Sequence, residues 1–120
     1  MTSARTVLVF GLYLLLVGLG LLLVPDSVLE LLRLPPAHDF WPRIVGVLAL
    51  CLATYYIVAA RTNLAPLIRA TVLVRLAVFG LFGALVLFSF APRELTLVGI
   101  IDFAGALWTA FALKSERDAR

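Results

Sequence analysis

From Val7 to Val24 the chain carries no charged residue, and from Ile44 to Ala60 it carries none again. Runs of this kind constrain folding more than any motif, because a chain can hide only a few of them from water. Two more apolar blocks follow, about Leu67 to Ala91 with Arg69 and Arg75 inside it, and Leu95 to Leu113 with Asp102 inside it. A helix needs about 20 mainly apolar residues to cross a bilayer. Lipid offers the backbone no hydrogen-bond partner, so each span must be helical. Composition agrees. The 120 residues are 63% apolar and 14% charged, with a mean hydropathy of +1.11. A soluble domain is nearer half apolar and a quarter charged, and a globule of this size leaves much of its chain facing solvent. The expected fold is an all-α membrane protein. Four transmembrane helices, about 6–24, 43–60, 67–90 and 95–113, form one antiparallel bundle over residues 1–120. A secreted enzyme, a free nucleic-acid binder and a disordered tail are excluded.

The first block has a basic start at Arg5. Its exit, Leu23-Val24-Pro25-Asp26-Ser27, offers no small-x-small cleavage site, so it reads as a retained helix. Ser27-Val28-Leu29-Glu30 then has the form of a capping box. Residues 27–34 make an interfacial helix, too short to span, and Pro35-Pro36 stop it. Trp41 suits the headgroup level and Pro42 the first turn of the second span. The remaining loops, Arg61-Thr62-Asn63 and Ala91-Pro92-Arg93-Glu94, are tight, which favours antiparallel neighbours. The tail after Leu113 reads as short and solvated.

Net charge is +3. The cationic excess fits membrane anchoring, since no basic run interleaved with aromatics marks a nucleic-acid surface. With the N-terminus inside, Arg5, Arg61, Arg69, Lys114, Arg117 and Arg120 fall on the inner side. Arg33, Arg43 and Arg93 fall outside. Six against three places both termini in the cytoplasm of a multi-pass protein of the cell (inner) membrane. Cys51, the single cysteine, excludes an internal disulfide and reads as a small packing residue.

Asp102 is the strongest chemical signal. A carboxylate inside a span costs about 2.5–3.5 kcal/mol on insertion scales, so it must face protein or water. At 100° per residue it shares a helix side with Val98, Gly99, Gly105, Ala106, Thr109 and Ala110, while Ile100, Phe103, Leu107, Trp108 and Phe111 lie away. The acid therefore sits on a small-residue face suited to close packing. Arg75 is the second signal. It is deep if its helix begins near Pro66 and able to snorkel if the helix begins near Arg69. Arg43 opens the second span in the outer half, as Asp102 does, and is the preferred partner of the acid, with Arg75 the other. Thr54, Thr109, Tyr55 and Tyr56 complete the candidate set, as hydrogen-bonding or ring-contacting groups within the spans. Tyr13 is a further tyrosine of this kind. Gly80 and Ala84 form a weak small-xxx-small pair. His38 and Asp39 in the outer loop make a metal site conceivable. One histidine and no thiolate cluster argue against it, so no metal ligand and no cofactor is assigned. No G-x-S-x-G, P-loop or H-E-x-x-H is present, which leans against an enzyme.

The Leu/Gly-rich first helix, the loop Pro25-Asp26-Ser27-Val28-Leu29-Glu30-Leu31-Leu32-Arg33-Leu34-Pro35, Arg43-Ile44-Val45-Gly46, and Asp102 to Trp108-Thr109 resemble the small four-helix bacterial membrane proteins of the DoxX-like kind. Some of that group are linked to quinone or thiol redox complexes, although this chain has no cysteine pair of its own. Small multidrug transporters are similar in length and helix count. Their essential glutamate lies in the first helix, where this chain has no acid. Three functions follow as expectations. The first is a non-enzymatic accessory or structural subunit held by a buried Asp102–arginine pair. The second is a proton-linked transporter or ligand-binding bundle using Asp102. The third is a subunit of a membrane redox complex. The partners would be the lipid bilayer and a larger membrane complex or a second copy, with no nucleic acid.

Overall fold

The computed structural model describes residues 2–36 and 39–119. It is all-helical, with α1 (Ser3–Leu23), α2 (Pro25–Leu31), α3 (Trp41–Thr62), α4 (Ala65–Leu87) and α5 (Leu95–Asp118). All but α2 are long and apolar enough to cross a membrane. Their outward sides carry many exposed leucines, valines and phenylalanines. In water such a surface would drive aggregation; in hydrocarbon it has nothing to escape from.

Local chemistry sets the boundaries. Proline stands in the first turn of α2, α3 and α4, where its missing N–H is not needed. The second helix therefore begins at Pro25 and has no side-chain cap, so Ser27 is inside it and the expected capping box does not form. Asn63 closes α3 with φ 50°, a left-handed conformation that asparagine tolerates better than most residues. The last helix runs on to Asp118, past the expected end near Leu113, through a tail that is mostly exposed. Glu116 ties this extension to α1. Its Oε1 accepts from the Ser3 backbone N–H at 2.6 Å and its Oε2 from the Ser3 hydroxyl at 2.8 Å. A carboxylate at the positive end of α1 satisfies free amides there and holds the last turns of α5 in place.

Helix packing is closest between α1 and α3. A Cβ added at Gly18 would stand 2.9 Å from the Gly46 carbonyl oxygen, and one at Gly46 would stand 2.8 Å from both the Gly18 oxygen and the Leu22 nitrogen. Only glycine at both places allows the two backbones so near. The apolar core gathers Val7, Phe10, Tyr56, Ala59, Ala60 and Ile68. Small residues on α3 and α5 let the larger α1 side chains in; Ala53, Ala59 and Ala106 have no exposed surface. Cys51 does not pack inside as expected but is exposed on the outer side of α3.

Candidate functional site: a buried arginine beside an apolar cavity

Arg75 lies ten residues into α4, about 15 Å from its start at 1.5 Å per residue. It is 1% exposed, so it is deep and does not snorkel. Its own helix supplies the first partners. Thr71 is one turn earlier on the same face, where an i, i+4 pair meets. Arg75 Nε donates to the Thr71 carbonyl at 3.1 Å and Nη2 to the Thr71 hydroxyl at 3.1 Å. Nη2 also donates to the Thr109 hydroxyl of α5 at 2.9 Å.

These bonds continue as a directed chain. Thr6 Oγ1 donates to the Ser3 carbonyl at 2.7 Å, which uses its single proton. The 2.7 Å contact between Thr6 and Thr109 must then be donated by Thr109. Hydrogen bonds thus run from α4 through α5 into α1, and every hydroxyl in the chain is buried. The guanidinium plane lies among rings, with Arg75 Cζ 4.8 Å from the Phe10 centroid and 5.7 Å from that of Tyr56. Both are within cation–π range.

One part of the fork is left over. Arg75 Nη1 is the one buried side-chain nitrogen or oxygen without a partner among the described residues. It sits beside Gly105, where an added Cβ would be 3.1 Å from it and 2.8 Å from the Phe10 ring. Gly105 is one turn of α5 from Asp102.

The expected ion pair is not a direct contact. Among the described residues the single ion pair within 4.0 Å is Arg117–Asp118 on the exposed surface. Neither Arg43 nor Arg75 reaches Asp102 that closely, and Asp102 takes part in no hydrogen bond of its side chain among them. Arg43, the preferred partner, is exposed and its Nη1 donates to the carbonyl oxygen of Leu22 near the end of α1. A helix C-terminus carries free carbonyls and partial negative charge, which is what a cation seeks there.

Arg75 and Asp102 instead share a cavity of about 560 Å³. Its walls are Phe10, Tyr13, Leu14 and Val17 of α1, Ala49, Leu52 and Tyr56 of α3, Val74 and Val78 of α4, and Val98 of α5. Leu29 of α2 and Leu32, Leu34 and Asp39 of the segment after it also line the cavity. The lining is almost wholly apolar. On α3 Leu48 and Leu52, and on α4 Val74, are cavity-lining yet about half exposed, so the cavity is open between these two helices. A volume of this order suits a small-molecule site, which is typically apolar with a few convergent polar groups.

Of the candidates, Asp102, Arg75 and Tyr56 come together at the cavity, and Thr109 joins through Arg75. Thr54 and Tyr55 do not. Thr54 is exposed and donates to the Leu50 carbonyl at 3.0 Å, and Tyr55 is 63% exposed on the outer face of α3. Thr6 and Phe10 were not foreseen; Thr71 shares the helix side of Arg75 by sequence but was not counted among the candidates. The spacing of Thr71 from Arg75 was a readable signal; nothing local marks Thr6 or Phe10 as facing Arg75. His38 lies outside the described residues. A second hollow of about 510 Å³, more polar, is bordered by Ser3, Asn63, Arg69, Lys114 and Glu116, where α1 begins and α5 ends. No protein-family model, no curated protein and no solved structure matches the chain.

Proposed function

We propose that this chain is a non-enzymatic membrane bundle that binds an apolar small molecule in the cavity beside Arg75 and Asp102. The four long helices form an antiparallel bundle of the DoxX-like kind in the cell (inner) membrane. Both termini are cytoplasmic and α2 lies in the outer interface. The observation that carries the reading is the cavity itself. An apolar cavity of about 560 Å³ in so small a bundle leaves part of its lining without packing partners, and two polar groups that oppose insertion into lipid stand in its wall. The opening between α3 and α4 faces hydrocarbon in this arrangement, so the ligand arrives through the bilayer.

The test uses protein in phosphatidylcholine nanodiscs and a pyrene-tagged alkyl chain. Trp41 borders the cavity and Trp108 does not, so a Trp108→Phe background isolates the reporter. Saturable quenching of Trp41 is expected, and Ala49→Phe, which fills the cavity, abolishes it. Equal, non-saturating quenching in both proteins rejects the reading.

A second reading, an accessory subunit or homodimer, is favoured by one feature of α4. Few residues of this helix are buried, 11% of its most apolar 18-residue stretch against 33% for α1 and α3, and no neighbouring helix comes within 4 Å of a Cβ placed at Gly80 or Gly83. A second copy closing there predicts a disulfide-linked dimer of Gly83→Cys in a Cys51→Ser background. A monomer after oxidation sets the dimer aside.

A further inference from the structure

The ligand-binding reading leaves open what kind of head the ligand carries, and two groups in the cavity wall bear on this. Arg75 Nη1 is a buried donor without an acceptor. Its partners are fixed on the other side of the fork, where Nε and Nη2 are held by Thr71 and Thr109. Asp102, one turn of α5 from Gly105, lines the same cavity and has no ion-pair partner within 4.0 Å among the described residues. Native proteins rarely leave a buried donor unpaired, and such an atom calls for a partner that completes it. Here a donor without an acceptor and a carboxylate without an ion-pair partner border one cavity, with Gly105 beside Nη1 and Asp102 one turn of α5 away from it.

With Asp102 ionised, a group shared by the two has to accept from Nη1 and donate to the carboxylate. A carbonyl or ether oxygen accepts but has no proton to donate. A carboxylate accepts but brings a second negative charge beside Asp102, and an ammonium donates but repels Arg75. A hydroxyl does both with one atom. The rest of the cavity is apolar and open toward lipid between α3 and α4, which suits a hydrocarbon tail. We infer that the cavity takes a single-chain amphiphile with a hydroxyl head, seated so that the hydroxyl bridges Arg75 Nη1 and Asp102. Phe10, whose ring edge lies beside Nη1 and lines the cavity, gives way as the head enters. This rests on the ligand-binding reading and goes beyond it in naming the head.

The experiment displaces the pyrene-tagged alkyl chain from nanodisc-held protein with four probes of equal chain length: oleyl alcohol, its methyl ether, oleate and octadecene. The alcohol is expected to compete about tenfold or more better than the other three, the size of one added charge-assisted hydrogen bond. In Asp102→Leu that preference falls toward one while tail binding persists. Asp102→Asn, which keeps an acceptor oxygen, recovers part of it. Far-UV circular dichroism and a thermal melt confirm that each variant is folded. Equal competition by all four probes overturns the hydroxyl assignment, as when a water bridges the two groups, and leaves the cavity reading standing. An alcohol preference that survives Asp102→Leu overturns it too. Failure of every probe, as in a dimer that seals the opening, removes the cavity reading and this inference together.

Discussion

A guanidinium has five N–H donors in a rigid fork, and burying it requires acceptors placed to match. Thr71 and Thr109 satisfy three of the Arg75 donors with three oxygens, and the rings of Phe10 and Tyr56 cover its faces. An unsatisfied buried donor costs about 1–3 kcal/mol, more when charged. The bonds that remain are therefore not expendable. Thr109→Val removes the acceptor for Nη2 and the donor for Thr6 while keeping the shape. It should destabilise the bundle by about 1–2 kcal/mol, the upper range for interhelical hydrogen bonds in membranes, as read from the midpoint of detergent-induced unfolding. Asp102 holds nothing comparable in place. Asp102→Asn should leave the unfolding midpoint unchanged or raise it. In a double-mutant cycle it should add to Arg43→Gln within about 0.5 kcal/mol, as sites without a shared partner do. A larger coupling would mean that the two side chains meet after all.

At the scale of elements, the closest approach is the crossing of α1 and α3 at Gly18 and Gly46. The atoms in the way are backbone, which cannot turn aside as a side chain can. Gly46→Ala should cost about 1–3 kcal/mol, the usual range for an overpacked contact. Gly80→Ala on α4, with open space around it, should cost nothing measurable or gain a little from helix propensity. Unfolding midpoints of the two variants side by side make the check. The junction of α1 with α5 gives another. Glu116→Ala removes two bonds to Ser3 and should cost about 1 kcal/mol, as loss of a helix cap does. It should also free the last turns of α5, visible as faster amide exchange after Leu113. Helix ends were only partly legible beforehand. Pro42 and Pro66 mark their starts from sequence alone, because proline has one comfortable place in a helix. The end of α5 was not legible, and the contact that anchors it is with Ser3, more than a hundred residues away in the chain.

For the whole molecule, the proposed topology rests on the count of inner and outer Lys/Arg. In a Cys51→Ser background, a cysteine at Lys114 should react with a membrane-impermeant maleimide only after the cells are opened. One at Glu94 should react in intact cells. The reverse pattern would turn the bundle over and place the mouth of the cavity near the other leaflet. The number and helical nature of the four long apolar helices were written in the chain, since long uncharged runs in so apolar a sequence have one structural outcome in lipid. The small-residue face of α5 was written there too. Gly99, Ala106 and Thr109 are buried and Ile100, Leu107 and Phe111 exposed, as the 100° turn requires. Phe103 departs from this, half-buried because its ring lies 4.8 Å from that of Phe79 on α4. Asp102 and Arg75 were conspicuous in sequence because charge inside a span is costly at any position. Their relation was not. A helical pattern fixes which face a residue is on, but not which neighbouring helix lies opposite, nor at what height. Only the tertiary packing decided that Arg75 turns to Thr71 and Thr109, that Arg43 binds the end of α1, and that Asp102 faces an apolar cavity instead of a cation. These outcomes depend on how several helices meet at once, and no local stretch of residues carries that information.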